Sequence, residues 1–487
     1  MAKVIPLVRS RKTWNPRDLA WLKSQGIEDS DRQQELFAKG VDSLQVLRPC
    51  DLGDGILKWD ALPHGAMERG FQTVVRQKKL SFFIPASGAA TRLFGFLEKD
   101  QHSAQAKRFF KEVLKLPLAA SLKAHFKAKG FSLETWLKEK EYKKILEVLF
   151  QEEGYGRLPK AMLPFHQEGS SFLTALEEHL RESEDFASVR LPIHFTMEPR
   201  YSERLQSFME DKSLDSSLVT FSYQESSTQT LAQGDDGVWL RDESGQLMLR
   251  PGGHGALLVN LARLSTPFVY LRNIDNISQA WHRQKYRHYR QGLVGLAAYL
   301  WNKNQEILKS LDADLSAKTL DQAWLYMKNF FGVTPLKASA LAQAQALRKR
   351  LRRPFRVAAM VKSKGQVGGG PFWVKCSEGP CLQILEATEL KPGISHGAYF
   401  NPVEIVAAIA NPQGGAWNLQ DFVDEKSWIL GKKYHEGRPV RTLERPGLWN
   451  GSMAYWNTCF VEIPAASFTP VKTALDLLKV EHQAKVS

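Results

Sequence analysis

Apolar positions along the chain switch between two periods. Short β-rich runs occupy residues 80–84, 191–196, 218–223, 268–271, 356–361, 382–386 and 460–463. Between them apolar residues recur at helical spacing, as in Ala106, Phe109, Phe110, Val113 and Leu114, and again in Tyr142, Ile145, Leu146 and Leu149. Further helical patterns cover 16–25, 31–39, 202–209, 256–264, 338–347 and 473–480. This alternation predicts an α/β fold, with a mixed, mainly parallel central sheet flanked by helices. The helical stretches near 98–155 and 281–350 read as insertions into that one sheet. Residues 1–75 read as an N-terminal helical region, and 76–487 as the main domain.

The rest of the chain is organised around residues 82–94, FFIPASGAATRLF. A β-rich run opens through Gly88, Ala89 and Ala90 into Thr91, Arg92 and helix-compatible sequence. Such a turn lets backbone N–H groups at a helix start face an anion, and Arg92 adds a planar charged fork suited to phosphate. Further along, Lys160 stands in a Gly-bounded Pro-Lys loop. Gly252 and Gly253 lie in a second glycine-rich turn, RPGGHG, whose glycines allow close approach to a flat ligand. Asp275 follows the apolar run 268–271, a common place for a magnesium ligand in open α/β sheets.

Composition narrows the classes. At 43% apolar and 24% charged residues the chain reads as an ordinary globular protein. No apolar run is long enough to cross a bilayer, and the start has no secretory h-region, so a cytoplasmic protein is expected. Cys50, Cys376, Cys381 and Cys459 lack paired metal spacing and are expected as free thiols. The net charge of +14 suits a polyanionic partner, phosphorylated small molecules or nucleic acid. No RNA-binding signature is present, so nucleic acid is not the expected partner. The basic run 348–356 (RKRLRRPFR) reads as a solvated helix end. His166, His194, His396 and His435 read as structural or surface groups, and Trp449 and Trp456 as core or rim aromatics.

Taken in order, these motifs resemble those of UDP-sugar pyrophosphorylases, above all the UDP-N-acetylhexosamine branch. That family opens with G-x-G-T-R, where this chain has Gly88-Ala89-Ala90-Thr91-Arg92. Its P-K-G-M is similar to Pro159-Lys160-Ala161-Met162, and its P-N-G-N-G-G turn to Pro251-Gly252-Gly253-His254-Gly255-Ala256. Its V-D-N metal motif resembles Ile274-Asp275-Asn276, and its V-E-Y-S-E motif Leu385-Glu386-Ala387-Thr388-Glu389. The last, F-S-P-L-K-N, resembles Phe468-Thr469-Pro470-Val471-Lys472-Thr473. A closer likeness is to an uncharacterised bacterial family carrying the PASGAA and RPGGHGAL signatures. The chain departs from the pyrophosphorylase pattern at Ala90, at His254 and in the helical block between Arg92 and Lys160.

The resemblance implies a glycosyltransferase-A-like nucleotidyltransferase fold and a Mg²⁺-dependent reaction of a nucleoside triphosphate with a sugar 1-phosphate. Arg92, Lys160 and Lys472 would neutralise phosphate charge, and Asp275 would hold Mg²⁺. Gly88, Ala89, Ala90, Thr91, Gly252, Gly253 and His254 would line the nucleotide, and Glu386 the sugar hydroxyls. Asn457, near a β-rich run, is a further candidate polar ligand. Two other readings stay open: a glycosyltransferase on the same fold, and a non-catalytic nucleotide or nucleic-acid binder.

Overall fold

A computed structural model describes residues 14–485, except 43, 89–90, 101, 170, 213–214, 216, 366–367, 413 and 436. For Thr91 and Arg92 it describes the backbone alone. The architecture is a mixed α/β fold around one large sheet. Its strands are β1 (Asp51–Leu52), β2 (Gly55–Leu57), β3 (Leu80–Pro85), β4 (Ile193–Met197) and β5 (Val219–Tyr223). They continue with β6 (Phe268–Arg272), β7 (Phe355–Lys362), β8 (Tyr399–Phe400), β9 (Glu404–Ala408) and β10 (Asn457–Glu462). Their spatial order is β1-β2-β10-β7-β9-β6-β3-β4-β5, with β8 pairing β7. Every neighbour on that path is parallel except at β9, which runs antiparallel to both β6 and β7.

The central strands are buried on both faces, which is why they read as near-continuous apolar runs rather than alternating ones. Val357 and Ala359 join the larger core, built with the helices, whereas Ala358 and Met360 join the second core on the other face. Phe82 and Phe83 divide in the same way.

On the first face the long helix Ala280–Ala313 crosses the helix His64–Arg76 at unusually close range. A Cβ on Gly295 would lie 2.1 Å from the Met67 carbonyl oxygen, and one on Gly70 would lie 2.9 Å from that of Gly295. Gly295→Ala is expected to force the helices apart at a cost of about 1–3 kcal/mol, read as a lower denaturation midpoint.

The described residues of the N-terminal segment, from 14 to 75, are tied into this frame. Ile56 of β2 pairs with Phe460 of β10, and Val46–Pro49 pairs with Gly370–Cys376. The helices Pro16–Ser24 and Ser30–Lys39 pack with Leu231 and Leu443 in a small core of their own. The run 51–57 thus supplies β1, at the edge of the sheet, and β2 beside it.

Two expectations are corrected. Cys376 and Cys381 are joined in a disulfide, because the hairpin of Gly370–Cys376 with Gly379–Leu385 brings their Cα atoms to 6.1 Å. Cys50 and Cys459 are free and buried. The run 348–356 ends a helix only as far as Leu351, with Lys349 exposed; Arg356 lies in β7, is fully buried, and its Nη1 donates to the Trp449 carbonyl. No described helix is long and apolar enough to cross a membrane.

Candidate active site

Strands β3 and β6 are neighbours and parallel, so the loops after them leave the same, carboxyl edge of the sheet. After β3 comes Gly88, exposed, with open space where a Cβ would stand. Its carbonyl accepts the Lys160 N–H at 3.4 Å, which closes the chain over the whole helical block between them. After β6 comes Asp275. Lys160 Nζ lies 2.8 Å and Lys472 Nζ 3.0 Å from the same oxygen, Asp275 Oδ2. Lys160 also donates to the Val471 carbonyl at 3.2 Å.

Three residues that are distant in sequence therefore form one cluster, two ammoniums on one carboxylate. Burial works to raise the Asp275 pKa, but Lys160 and Lys472 outweigh it and hold the carboxyl below its usual range. The other oxygen, Oδ1, is buried with no hydrogen-bond partner.

The backbone around Asp275 is fixed from both sides. Val471 N–H donates to the Asp275 carbonyl at 2.9 Å, and Thr469 N–H to Asn276 Oδ1 at 3.0 Å. Thus the segment 468–473 lies along the segment 274–276, which is what carries Lys472 to Asp275. His179 Nε2 donates to the Ile274 carbonyl at 3.1 Å, Arg272 Nη2 to the Asn276 carbonyl at 2.7 Å, and Asn276 Nδ2 to Glu404 Oε1 at 3.1 Å.

Behind these bonds lies a buried ionic network that the sequence reading missed. Arg272 engages Glu182 and Glu404, Arg290 engages Glu182 at 2.9 Å, and Tyr270 donates to Glu404 at 2.6 Å. Burial raises the Glu182 pKa, but Arg272 and Arg290 outweigh it and hold the carboxyl at about 2. The available signal was Glu178 and Glu182, one helical turn apart on the face that also carries Ala175, His179 and Phe186. Charge inside a buried stripe announces partners on another element.

Burial pushes the His179 and His482 imidazoles down to about 3. Both lie below the roughly 6.5 of an unfolded imidazole, so the unfolded chain takes up protons first on acidification. The stability they supply is complete above about pH 6.5 and is lost as the pH falls toward their folded values. Each is expected to add about 1.4 kcal/mol per pH unit to the slope of unfolding free energy between pH 6 and 4. A shallower slope in His179→Asn, measured by denaturant titration across that range, checks this.

The glycine-rich turn and Glu386 form a second group. A Cβ on Gly252 would lie 2.4 Å from the Thr228 carbonyl, and one on Gly253, at φ 75°, 2.8 Å from Glu444 Oε2. These glycines are needed for close packing against the protein's own backbone and side chains. Thr228 stands in the turn after β5, so this group too lies on the carboxyl side of the sheet. His254 Nδ1 accepts the Leu448 N–H at 3.1 Å, which turns Nε2 toward Glu386 Oε1, 3.7 Å away. The imidazole packs on Trp449, with ring centroids 4.3 Å apart, and burial holds it neutral, at about 4. Burial and Glu444 raise the Glu386 carboxyl above its usual value.

Asn457 belongs to neither group. It is the first residue of β10 and pairs with Phe355, the first of β7, so it stands at the amino edge of the sheet, opposite Asp275. Its Nδ2 donates to the Arg350 carbonyl at 2.7 Å. Ala89, Ala90 and the side chains of Thr91 and Arg92 lie outside the described residues; the helix Thr91–Lys99 starts at Thr91.

The match to one family model is nearly end to end, over residues 15–483, and that family is described as a domain of unknown function, DUF4301. The chain belongs to the DUF4301 family. No curated protein matches it. Among solved structures it is similar to a UDP-N-acetylglucosamine pyrophosphorylase from Trypanosoma brucei, crystallised with an inhibitor. The TM-score is 0.51 at 13% identity, over 95% of this chain and 79% of that one. A putative UDP-N-acetylglucosamine pyrophosphorylase from Entamoeba histolytica scores 0.47 at 13% identity, over 90% of this chain and 85% of that one. At such identity the likeness to the Trypanosoma enzyme is one of fold: this DUF4301 member has the nucleotidyltransferase-type fold of the pyrophosphorylases.

Proposed function

We propose that this DUF4301 protein is a nucleotidyltransferase that joins a sugar 1-phosphate to a nucleoside triphosphate, giving a nucleotide sugar and pyrophosphate. The observation that carries the reading is the Lys160–Asp275–Lys472 cluster beside the Gly88 loop, at the carboxyl edge of a parallel sheet. Open α/β sheets bind ligands at that edge. The fold shared with the Trypanosoma pyrophosphorylase supports it.

In this reaction a sugar-phosphate oxygen attacks the α-phosphorus in line with the departing pyrophosphate. The nucleophile is already an anion, so the protein supplies position and charge rather than a base. Lys160, largely enclosed, and Lys472, more than half exposed, converge on one oxygen and carry one positive charge beyond what Asp275 neutralises. They are placed to turn from Asp275 onto phosphate oxygens as substrate arrives. Arg92, in the first turn of its helix, is assigned to the pyrophosphate side, where negative charge builds. Glu386 and His254 are assigned to the sugar and the nucleobase.

Asp275 fits a magnesium ion through Oδ1, which has no protein partner. Among the described residues no set of three or more His, Cys, Asp or Glu side chains forms a metal site, so substrate phosphates would complete the coordination. Bound there, the ion would neutralise charge on the phosphate oxygens.

The test is pyrophosphate release from a panel of nucleoside triphosphates and sugar 1-phosphates, with and without Mg²⁺. Release that requires both substrates is expected. Silence across the panel, with nucleotide binding intact, overturns the assignment in favour of a binding protein.

A further inference from the structure

The basic run at the end of the helix Ala340–Leu351 does not serve the site at the carboxyl edge. Lys349, Arg350, Arg352 and Arg353 line a cavity of about 440 Å³ at the opposite edge of the sheet, where β7 and β10 begin. Facing them is the tip of the disulfide-linked hairpin, which carries Glu378. A third wall is aromatic: Phe422, Tyr455 and Trp456.

Charge in this cavity is unbalanced. Four cations face two carboxylates, Glu378 and Asp421. Asp421 is occupied by the Asn418 amide at 2.7 Å. Glu378 alone serves Lys349 at 2.7 Å, Arg353 at 2.8 Å and Arg350 at 3.2 Å. Burial raises its pKa, but these cations outweigh it and hold the carboxyl at about 2.

Two donors remain unused. Arg352 Nε has no hydrogen-bond partner, and neither does the indole N–H of Trp456, a residue only 4% exposed. A buried donor without an acceptor is costly, and here both belong to residues that line one cationic cavity.

We propose that this cavity binds a small phosphorylated molecule carrying a flat ring, at a site separate from the reaction centre. Its phosphate would sit among Arg352, Arg353 and Lys349, whose forks and ammonium suit phosphate oxygens. Its ring would lie against Tyr455 and Phe422. Glu378 is then an internal stand-in: it holds the cations together until a more highly charged phosphate displaces it. The site rests on the amino-edge geometry alone and stands or falls independently of the transferase reaction.

The experiment titrates the full chain with ADP, without magnesium, by calorimetry and by hydrogen exchange in residues 349–353 and 376–381. Slower exchange in both segments is expected. Arg352→Gln with Arg353→Gln is expected to weaken ADP at least tenfold, and Glu378→Gln to tighten it at least threefold by removing the competing carboxylate. Lys160→Ala is expected to leave the protection of both segments unchanged. No protection there, or undiminished affinity in the double variant, overturns the proposal. If the double variant does not fold, Lys349→Gln, at an exposed side chain, decides: a threefold loss supports the site and unchanged affinity rejects it. Inorganic phosphate is expected to bind at least tenfold more weakly than ADP; equal binding removes the ring from the proposal.

Discussion

Asp275→Asn is expected to lower pyrophosphate release by a hundred- to a thousandfold while the protein stays folded. The amide keeps the shape of the carboxylate but offers Lys160 and Lys472 no charge, so their shared anchor on Oδ2 is lost. The buried Oδ1 position, already without a protein partner, loses its charge as well. Removing one preorganised electrostatic contact of this kind costs about 2–4 kcal/mol of transition-state stabilisation. The comparison is turnover at saturating substrates, with melting behaviour as the control for folding. Full release from a variant with an unchanged melting curve would remove Asp275 from the reaction centre.

Arg272→Met is expected to be the most destabilising single change in the fold, at about 3–5 kcal/mol. The side chain is fully buried and lies between Glu182 and Glu404. Taking it away leaves two buried carboxylates with Arg290 as their remaining guanidinium. It also removes the bond to the Asn276 carbonyl, one of those that fix the backbone beside Asp275. Denaturant titration at pH 7 measures the loss. A change below about 1 kcal/mol would show the network to be replaceable by a close-packed apolar group.

The strands that carry the site were legible because they are buried on both faces and leave near-continuous apolar runs, 80–84, broken only by Ser81, and 268–271. Gly88 and Asp275 were legible as a turn glycine and a carboxylate in the loops that follow these runs. Lys160 and Lys472 could be paired with them only through motif order, since nothing local to a Pro-Lys loop says what its ammonium meets. Asn457 shows the limit of reasoning by proximity. A residue beside a strand lies at one of two edges, and β10 begins, rather than ends, at Asn457. The ionic network was hidden because Arg272, Glu182, Arg290 and Glu404 come from four elements, and each alone resembles a solvated charge. The short strand β2 was invisible for a different reason: three residues have too little propensity to declare a strand, and pairing with β10 decides it.

That pairing sets an order of assembly. Ile56 has no exposed surface in the finished sheet, yet its partner Phe460 is made only after nearly all of the main domain. During synthesis the early strand must wait with unpaired backbone groups while β3 to β9 emerge. Closing so long a loop adds only a logarithmic entropy cost, so the penalty falls on time rather than on final stability. An interval with an unpaired apolar edge invites aggregation, and holding factors act on such states. The sheet is thus finished in the reverse sense of its making, with one of the first strands translated among the last to find its place.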